Sequence, residues 1–131
     1  MQLAVRNRPA PEAVSWTGHF VSAPALLFLL ADGVMKLAAP APVVEASAAL
    51  GLSGSVLPGL GAVLLACLFV YSVPRTAPLG AVVLTGYLGG AIATHVRVGL
   101  EPASLLFPLA LGALLWGGLY LRDARLRALL R

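Results

Sequence analysis

Four long apolar segments fill most of this 131-residue chain, and its few charges gather at their ends. A short water-soluble domain has too little interior to hide that much apolar surface. Composition agrees: 60% of residues are hydrophobic and 11% charged, with a mean hydropathy of +0.93. A soluble domain carries about 25% charged residues. Lipid is therefore the solvent this chain requires, and one membrane domain over residues 1–131 is the natural reading.

The segments run about Trp16–Met35, Val56–Val73, Leu79–Val96 and Ala103–Leu121. Each has about 18–20 residues, enough to cross a hydrocarbon core of about 30 Å at about 1.5 Å per residue. Only helices satisfy backbone groups over such runs, because barrel strands are shorter and alternate. The expected fold is all-α, a membrane four-helix bundle with tails at 1–15 and 122–131. Pro58 and Pro102 suit first turns, while Pro24 and Pro108 predict kinks. Short links at Pro74–Pro78 and Arg97–Glu101 force antiparallel neighbours. The longer link, 39–55, holds Pro42 near its start and Gly51 later, which bracket a short helix. That helix is too short to span, so it belongs at the membrane surface or partly re-entrant.

Basic residues set the orientation. Arg6, Arg8, Arg75 and the tail residues Arg122, Arg125, Arg127 and Arg131 fall on one side, and Lys36 and Arg97 on the other. Both termini are expected in the cytoplasm. Trp16, Tyr71 and Tyr120 fall near that boundary, as an aromatic belt does. The net charge of +4 and pI near 10.0 do not point to nucleic acid, because the arginines form a tail directly after an apolar segment. They suit anionic lipid headgroups instead. A cleaved signal peptide over 1–41 is a rival reading, but Asp32 and Lys36 stand in its cleavage region. Three apolar segments remain in either case.

Charges near a span are costly and so are candidates for function. Asp32 and Lys36 are spaced to share a helical face, as a structural ion pair or as part of a site. His95 and Arg97 end the third segment at the same expected depth, and Glu45 of the short helix lies on that side. Topology therefore predicts that Asp32, Lys36, Glu45, His95 and Arg97 converge at the outer mouth. His95 alone reads either as an interfacial hydrogen-bonding residue or as part of a site. Tyr87 needs a hydroxyl partner, from the protein or from a bound molecule. Gly86, Gly89 and Gly90 form a small-residue stripe that lets another helix approach closely. The sole cysteine, Cys67, permits no internal disulfide or dithiol redox pair, and reads as a small apolar residue. Two histidines without further placed ligands give no metal signature. No phosphate loop or catalytic triad stands in the sequence, so no residue is assigned a catalytic role.

Several phrases carry a resemblance. They are Asp32-Gly-Val-Met-Lys-Leu37, the Pro42–Leu52 segment ending Leu-Gly-Leu, Val73-Pro-Arg-Thr-Ala-Pro-Leu-Gly80, Leu84-Thr-Gly-Tyr-Leu-Gly-Gly-Ala-Ile-Ala-Thr-His-Val-Arg97, and Leu119-Tyr-Leu-Arg-Asp123. Together they resemble the DoxX-like family, over about residues 15–127. The resemblance implies a bacterial inner-membrane protein with four helices, in a quinone-linked redox or oxidative-stress setting. It transfers no catalytic set; Asp32, Lys36, Arg75, Tyr87, His95 and Arg97 stand as recurring polar positions.

Three functions fit. The first is an accessory membrane protein that binds a quinone or lipid near the outer face. Tyr87, His95 and Arg97 would donate to it, and Asp32 would orient Lys36 or His95. Having no evident haem, flavin or iron–sulfur site of its own, it would take electrons from a partner protein. The second is a small four-span transporter, which needs a carboxylate deeper than Asp32. The third is a structural partner whose glycine stripe packs on another membrane subunit or on a second copy.

Overall fold

A computed structural model describes residues 12–99 and 101–131. Arg6 and Arg8, used above for orientation, lie outside the described residues. Helix α1 covers Glu12–Ala38, the short α2 Ala41–Ala48, α3 Leu57–Ser72 and α4 Ala77–Arg97. A 3₁₀ turn at Pro102–Leu105 leads into α5, Leu106–Arg122, and α6 covers Ala124–Leu129. No strand occurs among the described residues.

Proline and glycine punctuate these elements. Helices α2, α3 and α4 and the 3₁₀ turn each carry a proline in the first turn, where its missing N–H has no helical partner to lose. Pro24 lies inside α1 on an exposed face without ending the helix. Regular α-helix resumes only at Leu106, so Pro108 falls in the first turn of α5 rather than in its interior. Gly51, at φ +79°, closes the turn after α2. The N–H of Leu52 donates to Ser47 O and that of Gly51 to Ala48 O, the bonding of a Schellman turn.

Helix α1 packs against α5 on one side and α3 on the other, and α4 packs against α3 and α5. Neighbours run antiparallel: Gly18 meets Gly118 while Phe28 meets Phe107, and Thr85 meets Trp116. Leu29, Leu64, Leu84 and Leu115 fill the centre. Large apolar residues such as Phe20 (72% exposed) and Phe69 (70%) face outward, the arrangement lipid favours over water. Among the described residues, three stretches are long and apolar enough to cross a membrane: Trp16–Ala38, Ala77–Arg97 and Pro102–Arg122. Helix α3, at 16 residues, is shorter than the segment read from sequence.

The helices cross where glycine removes a side chain. A Cβ on Gly118 would stand 2.7 Å from Gly18 O, and one on Gly61 would stand 2.6 Å from Gly33 O. A Cβ on Gly80 would stand 2.3 Å from the backbone N and Cα of Tyr71. Among the described residues, no helix uses Gly86, Gly89 or Gly90 in this way. They are exposed, and a Cβ on any of them would meet nothing within 4 Å. Among the described residues, therefore, the predicted stripe is not a packing seam.

Residues after Arg122 form more than a charged tail. Asp123 caps α6, accepting from the N–H groups of Arg125 at 2.8 Å and Leu126 at 3.3 Å. Arg125 Nη2 pairs with its carboxylate at 3.1 Å and also donates to Pro74 O at 2.7 Å, tying α6 to the α3–α4 turn. Burial pushes the Asp123 carboxyl up, but the Arg125 side chain and the two N–H groups outweigh it and hold it below the ordinary value. The stability gained is complete above the unfolded carboxylate pKa of about 3.9 and is lost as pH falls through the lower folded value. Asp123→Ala is expected to cost about 1 kcal/mol and to raise hydrogen exchange at Arg125 and Leu126 N–H. In the native protein those protection factors should hold at neutral pH and fall only below the ordinary carboxylate range.

Candidate functional site

Asp32 and Lys36 sit one turn apart on the last turns of α1, and their side chains form an ion pair. Both are part-buried, with the side chains 18% exposed at Lys36 and 30% at Asp32. The Lys36 ammonium lies 5.9 Å from the centroid of the Tyr87 ring on α4, at the outer limit of a cation–π contact. Helices α1 and α4 are not principal packing partners, so this polar contact reaches across the molecule. An ammonium has more N–H donors than Asp32 takes up. Beside a half-buried aromatic ring, it can hold an acceptor oxygen of a flat or lipid-like molecule.

The other predicted members stand apart from this trio. His95 lies eight residues beyond Tyr87, which is about 12 Å along the helix. Its Nδ1 is 2.7 Å from Ala91 O of its own helix. Arg97 donates to Leu50 O at 3.4 Å and lies against Gly51, fastening the end of α4 to the turn after α2. Glu45 is exposed on α2. Thus Asp32, Lys36 and Tyr87 converge, whereas His95, Arg97 and Glu45 have different surroundings.

The basic end contains a network that the sequence reading missed. Tyr71, placed above in an aromatic belt, is fully buried. Its hydroxyl donates to Leu115 O at 2.6 Å, and the Arg122 guanidinium stands 4.8 Å over its ring. Trp16 and Tyr120 remain outward, at 64% and 40% exposed. No local signal separates Tyr71 from Tyr120, since both follow apolar runs.

Two recesses accompany these clusters. One, at the basic end, is lined by His19, Pro74, Ala77, Leu119, Arg122 and Asp123. The other is an apolar groove of about 310 Å³ between α4 and α5, lined in part by Leu88, Gly89, Ile92, Leu109, Gly112 and Trp116. The Trp116 indole N–H donates to Thr85 Oγ1 at its edge, at 2.7 Å. Neither recess is lined by Asp32, Lys36, Tyr87, His95 or Arg97. Among the described residues, no cluster of His, Cys, Asp and Glu is arranged to hold a metal ion.

Apolar helices of membrane-crossing length, with polar groups held at both ends, define a small helical membrane protein. Residues 20–118, well over half of the 131, match the sequence profile of the DoxX-like family, and the chain belongs to that family. No curated protein and no solved structure matches the chain.

Proposed function

We propose that this DoxX-like protein is a non-catalytic membrane subunit that binds a quinone or similar lipid-like molecule near the outer face. All four long helices cross the bilayer, α2 lies at the surface, and the basic end faces the cytoplasm. The observation that carries the reading is the part-buried Asp32–Lys36 pair beneath Tyr87. A quinone carbonyl accepts hydrogen bonds, and the Lys36 ammonium and the Tyr87 hydroxyl are donors of the required kind. The residues thus fit a quinone head, while electrons would come from and pass to partner proteins.

A second reading has its own observation. The exposed stripe at Gly86, Gly89 and Gly90, which no helix covers among the described residues, suits a structural subunit seated against another membrane protein.

Native mass spectrometry of the protein released from its membrane without delipidation separates the two. The quinone reading expects a stoichiometric quinone-mass adduct. Tyr87→Phe should weaken it about tenfold, the effect of deleting one useful hydrogen bond. His95→Ala should leave it intact, because His95 bonds its own helix. An adduct indifferent to Tyr87→Phe, or no specific adduct, would sink the outer site in favour of the structural reading.

A further inference from the structure

At the basic end, the recess beside Arg122 is a cavity of about 160 Å³. His19 comes from α1, Pro74 from the α3–α4 turn, Ala77 from the first residue of α4, and Leu119, Arg122 and Asp123 from the end of α5 and the cap of α6. It lies at the opposite end of α1 from Lys36, so it is independent of the outer site.

Arg122 is incompletely satisfied there. Its Nη1 is 3.4 Å from His19 Nδ1 and its Nη2 is 3.5 Å from Tyr71 O, both at the long limit for hydrogen bonds. Its Nε is buried without an acceptor among the described residues. Its guanidinium also stands over the face of the Tyr71 ring. Among the described residues no carboxylate pairs with it. Asp123 is adjacent in sequence, but its oxygens are taken by Arg125 and the first N–H groups of α6. Among the described residues, Arg122 is therefore a cation, half-buried among apolar helices, whose partners are neutral.

A guanidinium is a fork of donors matched to oxyanions. The imidazole of His19 carries an N–H donor of its own, which can add a second contact. Arg75, exposed in the same turn that lines the cavity, adds positive potential. The depth is also informative. Trp16 and Tyr120, outward on the same ends of α1 and α5, occupy the positions of aromatics at headgroup level. Exposed Trp16 and Phe20 flank His19 in sequence and give acyl chains an apolar surface.

We propose that the cavity between His19 and Arg122 binds a phosphate oxyanion carried by the headgroup of an anionic phospholipid. The Arg122 fork holds the phosphate and His19 adds a contact from α1, so that the lipid bridges α1 to α5 and the α3–α4 turn.

The test uses the full-length protein in detergent after delipidation, with phosphatidylglycerol, phosphatidylcholine and inorganic phosphate as separate probes. Thermal unfolding and native mass spectrometry are the readouts. Phosphatidylglycerol should give a saturable one-to-one adduct and raise Tm, while phosphatidylcholine should bind at least about tenfold more weakly. Arg122→Gln should lose the adduct. His19→Glu is the variant that guards against a mere folding defect. It places a carboxylate beside Arg122, so it should keep or raise basal Tm yet abolish the response to phosphatidylglycerol. Arg131→Gln, on the exposed tail, should bind as the native protein does. Equal binding of the two lipids, an undiminished adduct in His19→Glu, or an equal loss in Arg131→Gln would overturn the site. Stabilisation by millimolar inorganic phosphate equal to that by phosphatidylglycerol would overturn the lipid as the source of the oxyanion.

Discussion

Gly80→Ala should destabilise the protein by about 3 kcal/mol or more, at the severe end of overpacking effects. The added methyl group would stand 2.3 Å from both the N and Cα of Tyr71. Those are backbone atoms and cannot turn aside as a side chain would, so the base of the α3–α4 hairpin has to part. Tyr71 moves with it, which weakens its bond to Leu115 O and its contact with Arg122. The same substitution at Gly86, Gly89 or Gly90 should have the opposite sign. A methyl there meets open space, and alanine is a better helix former by about 1 kcal/mol. Reversible unfolding in mixed micelles measures both. A benign Gly80→Ala would mean that α3 and α4 do not meet as described. If a stripe variant leaves the isolated chain stable but disrupts a larger complex in native membranes, the structural-subunit reading gains directly.

The second large effect concerns the outer ion pair. Asp32→Ala and Lys36→Ala should each cost about 2 kcal/mol, because each leaves a charge near the membrane interior without its partner. The double variant should cost less than the two losses combined, by about 1 kcal/mol, since it removes both charges together. A thermodynamic cycle in micelles reads this coupling. Strict additivity would mean that the two side chains act independently and that water or headgroups satisfy each alone. Coupled stability together with an adduct lost in Tyr87→Phe would show the trio acting as both a structural and a binding unit.

Much of this was legible because it is local. Asp32 and Lys36 pair because four residues is close to one helical turn, a relation that needs no tertiary knowledge. Pro42 and Gly51 marked the short helix to within a residue or two, since proline and glycine act through their own backbones. The position of His95 was misjudged for a different reason. Segment ends alone placed it level with Lys36, but α4 meets Lys36 at Tyr87 and then continues for further turns. How far one helix slides past another is decided by packing.

The glycines make the same point more sharply. Gly86 and Gly90 have the spacing of a helix crossing and cross nothing among the described residues, whereas Gly18 and Gly118 lie far apart in sequence and touch. Tyr71 and Tyr120 look alike in the sequence, yet one is fully buried and the other faces outward. By itself, the sequence determined the apolar helices, the helix-local ion pair and the family, because hydropathy, turn chemistry and residue spacing act over a few neighbours. Only the tertiary structure decided which glycines seat against which backbone, which tyrosine enters the core, and that Arg122 stands without a counter-ion among the described residues. Those outcomes depend on the relative slide and rotation of helices distant in the chain, and no short stretch of residues encodes them.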